Sequence, residues 1–353
     1  MARRSGNHES AETLEAARLR PSLHPTYARL LVAELKRRGF SNDDIFAESR
    51  TGWEQLLQED RLVSLERFSA LARRGMELTD EPWLGLAVGR STQLSSHGPL
   101  GYAIVASANA GQAVQLIERY SEIRLRIAEF RATQMGSRTR LTIEDVAGWG
   151  DITEYIAHHI VGAVARAIET VTGAPLSGAT MRFPFAETPW SSHYREAIPG
   201  VSVEFDSTAL VLDLPEGFDA TPCITADKSA CEQAVRLCER EAARRRDDSD
   251  VATRVLLELL EAEGDYPTLQ AMAKTLSMSE RTLIRKLKAQ STSYQRLLDD
   301  VRQELALWYL RKTDLPVEAI AERVGYRDTT NFSRTCRRWF GVTPRELRAT
   351  KPE

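Results

Sequence analysis

Cysteine is scarce in this chain of 353 residues: Cys223, Cys231, Cys238 and Cys336 are the only four, and no two stand at the short CxxC spacing. That excludes a disulfide framework or a zinc cluster as the organising device and suits a reducing cytoplasm. Long apolar runs are missing as well, and no stretch approaches the roughly 18 apolar residues of a membrane-spanning helix. The opening MARRSGNHESAETLEAARLRP carries glutamates and no apolar centre, so it reads as a loose tail over residues 1–20 rather than a secretory signal. Charge of one sign is lacking too: 47 Lys and Arg face 50 Asp and Glu, a net charge of -3.

What is present is the balance of an ordinary globular protein, 42% hydrophobic and 27% charged residues. The length exceeds what one hydrophobic core usually organises, so two domains are expected. Charge divides unevenly between them. From Ser249 onward 18 basic residues face 15 acidic ones, giving +3, and the first 248 residues carry -6. The run REAARRRDDSD, at Arg240–Asp250, interrupts the apolar periodicity and reads as a solvated linker or helix end. The expected organisation is a tail over 1–20, an α+β domain over 21–240, a linker over 241–250 and an all-α domain over 251–350.

In the first domain, His24–Gly39, Ser64–Gly75, Asn109–Glu129 and Asp151–Thr172 have helical spacing. Arg138–Glu144, Ala179–Phe185 and Val201–Leu212 carry alternating or β-branched residues bounded by Gly and Pro, and read as strands. A domain of this size is large enough to enclose a small-molecule pocket.

Past the linker the strand signals stop and an internal repeat begins. Leu269, Met272, Ala273 and Leu276 fall at i, i+3, i+4, i+7, and Val317, Ile320, Ala321 and Val324 repeat the pattern 48 residues later. Each short helix leads into a tight turn, Ser277–Met278 or Gly325–Tyr326, and then into a second helix capped by Ser279 or Asp328. The second helices are expected to bury Leu283, Ile284 and Leu287 in one copy, and Phe332, Cys336, Trp339 and Phe340 in the other. Their offset is 49, because the second turn is one residue longer. This is a helix-turn-helix, twice over. The faces turned away from the core carry Arg281, Thr282 and Arg285 in one copy and Thr330, Asn331 and Arg334 in the other. Arginine forks onto guanine and asparagine onto adenine, so these six are the expected base-reading residues in the major groove of double-stranded DNA. Lys286, Lys288, Arg327, Arg337 and Arg338 flank them and suit phosphates. Gln295–Leu310, with a stripe of Leu298, Val301, Leu305 and Trp308, reads as one connecting helix of roughly 24 Å, which would set the two reading helices about one DNA turn apart.

The segments RTLIRKLKAQSTSYQRLLDDVRQELALWYL and PVEAIAERVGYRDTTNFSRTCRRWFGVTPREL resemble the DNA-binding domain of AraC/XylS-type transcription regulators over about residues 250–348. Two departures stand out: Ser291 replaces a glycine at the end of the first reading helix, implying a strained end, and Cys336 replaces an aromatic residue. More loosely, His97–Tyr120 and Met181–Pro215 resemble the arabinose-binding-type effector domain of one branch of that family. The resemblance implies a small-molecule effector of unassigned pocket, with RNA polymerase and a second copy of the chain as further partners. No membrane association, cofactor or metal is expected from the sequence.

Other constellations read first as packing or turns. Gly98, Pro99 and Gly101 are read as turn residues before a ligand lining. His158 and His159 are adjacent, point about 100° apart on a helix and cannot chelate one metal, so a packing or surface role is expected. Cys231 and Cys238 share a helix face, which admits redox sensing but reads first as packing. The competing function is an Ada-type alkyl-transfer enzyme fused to a DNA-binding module, with Cys223 as nucleophile. No basic neighbour in sequence lowers that thiol's pKa, and no Ser/His/Asp or paired-carboxylate spacing suggests other catalysis, so the chain is not expected to be an enzyme. A third reading, an architectural DNA binder without ligand, leaves the large α+β domain idle.

Overall fold

The computed structural model describes residues 18–46, 62–246, 251–262, 264–290 and 292–349. Residues 1–17 of the expected tail, residues 247–250 of the expected linker, and Ser291 lie outside them. The chain divides into two compact units, the larger built from residues 22–45 and 62–243 and the smaller from Arg244 onward.

In the larger unit the long helical elements are α1 (Thr26–Arg37), α2 (Leu65–Thr79), α3 (Leu84–Ser91), α4 (Pro99–Val105) and α5 (Ala110–Tyr120). A hairpin of β1 (Ala128–Met135) and β2 (Arg138–Asp145) precedes α6 (Thr153–Thr172), the short strands β3 (Thr180–Arg182), β4 (Ser202–Glu204) and β5 (Leu210–Asp213), and finally α7 (Lys228–Arg246). The five strands form one sheet in the order β1-β2-β5-β3-β4, antiparallel except for the β3–β4 edge pair. Val114 and Ile117 of α5, Val164 and Ile168 of α6, and Leu141 and Leu212 of the sheet line one small apolar gap between these elements. The unit is thus α+β, as expected.

Several boundaries differ from the sequence reading, each for a local reason. The helix expected to reach Glu129 stops at Tyr120, where a 3-10 turn over Ser121–Ile123 redirects the chain into β1, a strand the periodicity did not separate from the helix. The single strand expected over Val201–Leu212 is two strands. Asp206, at φ 58, turns the chain between them, so that β4 lies at the sheet edge and β5 between β2 and β3. Helix α3 was not read at all. Its glycines lower helix propensity, but they let it touch α6 backbone to backbone: a Cβ on Gly85 or Gly89 would collide with the carbonyl oxygens of Tyr155 or His159. The linker run also begins inside a helix, since α7 continues through the Ala- and Arg-rich segment to Arg246. Arg18 is no loose tail residue, because its guanidinium pairs with Glu66 at 3.1 Å.

The smaller unit is all-α: α8 (Val251–Glu261), α9 (Leu269–Thr275), α10 (Glu280–Ala289), α11 (Tyr294–Lys312), α12 (Val317–Arg323), α13 (Thr329–Phe340) and α14 (Pro344–Ala349). One continuous core runs from Val255 through Met272, Leu283, Leu305 and Ile320 to Phe332. Helix α11 supplies its centre. Because both helix-turn-helix copies cover it, its buried surface is wider than the expected stripe and includes Leu297, Ala306, Tyr309 and Leu310, while Trp308 is only half-buried.

Candidate nucleic-acid interface and ligand cavity

Each reading helix is positioned by a turn and a cap. Ser277 (φ 55) and Gly325 (φ 79) occupy equivalent left-handed positions, so the first copy uses a serine where the second uses glycine. A Cβ on Gly325 would lie 2.8 Å from the Tyr266 ring and 2.9 Å from the Gly264 carbonyl oxygen, which excludes larger residues there. Helix α10 opens on Ser279, whose hydroxyl accepts from the Thr282 amide at 3.2 Å, and α13 opens on Asp328, whose carboxylate accepts from the Thr330 amide at 2.8 Å. The 49-residue offset between these helices is thus preserved. The two copies are also tied to each other: the Arg302 guanidinium of α11 lies 5.1 Å from the ring centres of both Tyr266 and Tyr326.

The outward faces can now be read. Arg281, Arg285 and Lys288 are exposed on α10, and Thr330, Asn331, Arg334, Arg337 and Arg338 on α13, with Arg327 exposed in the preceding turn. Lys286 is half-buried, and so is Thr282, whose hydroxyl shares a 2.9 Å hydrogen bond with Ser279. One expectation fails: Ile284 is not core but 49% exposed. Leu283 and Leu287, with Met272 and Leu276, already fill that side of α10, and Ile284 falls in the stripe Arg281, Ile284, Arg285, Lys288 at i, i+3, i+4, i+7. That spacing was the signal available in the sequence. The equivalent stripe on α13 is Thr330, Ser333, Arg334 and Arg337. Cys336 sits fully buried beneath it with Phe332 and Trp339, and burial pushes its thiol up to about 12.

The larger unit contains a partly open cavity of about 100 Å³ between α1, α4, α5, β1 and α6. Its walls are mostly aliphatic and aromatic, and its polar groups are Tyr27, His97, Ser121, Arg124, Tyr155 and His159. Sequence reasoning assigned none of them. Arg124 alternates with Arg126 in the charged segment SEIRLRIAEFR, where nothing marks one of the two as buried, and His97 figured only as the first residue of the segment that resembles the effector domain. Gly98 is the turn residue expected: at φ 59 it starts α4, it packs against the Arg124 guanidinium, and it is not among the residues that line the cavity. His158 and His159 are both buried on α6 and face different surroundings. His158 shares a 2.7 Å hydrogen bond between its Nε2 and the Tyr194 hydroxyl inside a cluster with Phe183 and Phe185, whereas His159 borders the cavity with its ring 5.6 Å from that of Tyr27.

Residues 39–222 match the family described as the arabinose-binding domain of AraC transcription regulators, and residues 272–350 match a helix-turn-helix domain family. The chain is 31% identical over 322 residues to the ornithine utilization regulator of Pseudomonas aeruginosa, spanning 91% of this chain and 95% of that one. It belongs to the AraC family of transcription regulators. An HTH-type transcriptional regulator of Mycobacterium tuberculosis is 25% identical over 335 residues, 92% of this chain and 95% of that one. The crystal structure of the transcriptional regulator CdpR from Pseudomonas aeruginosa aligns with a TM-score of 0.47 at 23% identity, covering 92% of this chain and 98% of that one.

For an AraC-family regulator the two units take their roles directly: the smaller binds DNA through its helix-turn-helix and the larger binds an effector. The alkyl-transfer alternative finds no support. Cys223 is buried beside Cys231 and Ala234, and that burial raises its pKa, the opposite of what a nucleophile needs. Cys231 and Cys238 pack in the same core cluster, Cys231 with its thiol 3.7 Å from the Ala103 carbonyl, in keeping with the packing role expected for them. Among the described residues no helix is long and apolar enough to cross a membrane, and no group of three His, Cys, Asp or Glu could hold a metal.

Proposed function

We propose that this regulator reads two successive major-groove segments with α10 and α13, and that a small molecule in the α+β unit controls the reading. Arg281, Thr282, Arg285, Thr330, Asn331 and Arg334 are the base-reading residues, and Lys286, Lys288, Arg327, Arg337 and Arg338 hold phosphates. Ile284 joins the first set, because an exposed branched side chain between two arginines suits a thymine methyl group. The observation that carries this reading is the pair of matched outward stripes on two capped helices that share one core. At about 1.5 Å per residue the 19-residue α11 spans roughly 28 Å, which with the attached helices approaches the pitch of one DNA turn. On this reading the chain works in the cytoplasm as a transcription regulator rather than an enzyme, folds as domains 21–240 and 251–350, and meets RNA polymerase and a second copy of itself at promoters.

The test measures affinity for the operator and all its single-base variants. Arg285→Ala and Arg334→Ala are expected to cost about 1–3 kcal/mol and to flatten preference at one or two base pairs, and Ile284→Ala to do so at a thymine. Lys288→Ala and Arg338→Ala are expected to weaken every sequence alike and lower the salt slope by about 1. Uniform loss from the first three substitutions would reassign them to the backbone. For the effector, thermal-shift screening of the full chain against metabolites, ornithine included because of the relative's name, reads binding by mass action.

A further inference from the structure

Arg124 is a cation of the larger unit that packing alone does not explain. It is buried at 8% exposure, and its Nε donates to the His97 carbonyl oxygen at 3.1 Å. Among the described residues its remaining N–H donors meet no acceptor and its charge meets no carboxylate. An isolated buried cation is costly unless something completes it. The guanidinium lies against Gly98, where a Cβ would overlap its end. His159, which lines the same cavity, is buried with neither ring nitrogen hydrogen-bonded, although its ring lies against Tyr27. Tyr27 in turn approaches His97, with its hydroxyl 3.4 Å from the His97 Nδ1. The cavity therefore carries one cation and one imidazole without a hydrogen bond, with the hydroxyls of Tyr27, Ser121 and Tyr155 as its other polar side chains besides His97, and the rest of its lining is apolar.

Resting on the effector-binding reading above, we propose that the cavity binds a small apolar monocarboxylate, its carboxylate on the Arg124 guanidinium, its hydrogen bonding completed by His159, and its hydrocarbon body against Phe68, Ile117 and Ile160. The guanidinium fork matches a carboxylate in shape and charge. A cavity of about 100 Å³, at 10–15 Å³ for each water-sized position, holds on the order of seven to ten heavy atoms. Burial holds the His97 and His159 rings neutral at physiological pH, so His159 offers one donor and one acceptor without adding a second charge. A dianion would find one cation where it needs two, and an amine would face Arg124 with like charge.

Titration calorimetry of the full chain in a carboxylate-free buffer tests this with hexanoate and phenylacetate, each beside its amide, and with hexylamine. At least one acid is expected to bind tenfold or more tightly than its amide, with no binding of the amine. Arg124→Gln is expected to abolish the acid's advantage while leaving amide affinity unchanged, and His159→Phe to weaken the acid several-fold at unchanged melting temperature. Should Arg124→Gln fail to fold, the acid-to-amide ratio of the wild-type chain decides alone. An amide or amine binding as well as the acids overturns the ligand class and leaves effector binding standing. No binding by any of the five overturns the proposal, and effector control itself falls only if the wider metabolite screen is also empty.

Discussion

His97, His158 and His159 lie in surroundings that hold their pKa values at about 4, 4 and 3, in each case chiefly by burial, with Arg124 adding to the effect at His97 and His97 at His159. In the unfolded chain a histidine titrates near 6.5, so below that pH the unfolded state binds more protons than the folded one. The stability these residues contribute is therefore complete above pH 6.5 and is lost as the pH falls towards 3–4. Between pH 7 and 5.5 a loss of about 1 kcal/mol per histidine is expected in urea unfolding, shallower by one histidine in His158→Phe. Equal stability at the two pH values would contradict the neutral, buried assignment. Which histidines would be buried was not legible beforehand: adjacency on α6 showed that the pair could not chelate, but only the folded unit sets Phe183, Phe185 and Tyr194 over His158 and Tyr27 of α1 over His159.

At the scale of elements, the left-handed turn residues give a sharp contrast. Ser277 pays a left-handed penalty of about 1–2 kcal/mol that glycine avoids, partly offset by glycine's greater freedom when unfolded. Ser277→Gly is thus expected to raise stability by about 0.5 kcal/mol, whereas Gly325→Ala, which adds a collision with Tyr266 and Gly264, is expected to cost about 2 kcal/mol or more. Chemical denaturation of both variants checks the pair, and stabilisation by Gly325→Ala would refute the close approach. The repeat was readable because each copy buries one narrow face against its neighbours at helical period. Helix α3 and strand β1 were not, because backbone contact across glycines and a 3-10 turn after Tyr120 override what local propensity indicates.

At the scale of the smaller unit, a shared core and the Arg302 bridge between Tyr266 and Tyr326 make the two copies one body. Inserting about five base pairs, half a DNA turn, between the operator segments is therefore expected to cost as much affinity as removing the contacts of one copy. Fluorescence anisotropy on the lengthened operator measures this, and unchanged affinity would mean that the copies bind independently. The second copy carries the denser exposed arginine, so Arg337→Ala and Arg338→Ala are expected to lower the salt slope more than Lys286→Ala, the half-buried cation of the first.

The sequence by itself determined the tandem helix-turn-helix, its caps, its offset and most of its outward residues. All of these depend on interactions within a few turns of helix, where period and cap chemistry suffice. Ile284 could be read from the sequence either with its apolar neighbours or with the stripe Arg281, Arg285 and Lys288, and tertiary structure decided for the second because Leu283, Leu287, Met272 and Leu276 already fill the core beside it. Tertiary structure alone brought Arg124, His97, Tyr27 and His159 to one cavity, residues that span positions 27 to 159 and that no periodicity connects. A helix face is a local property of the chain, while a cavity exists only once distant segments have met.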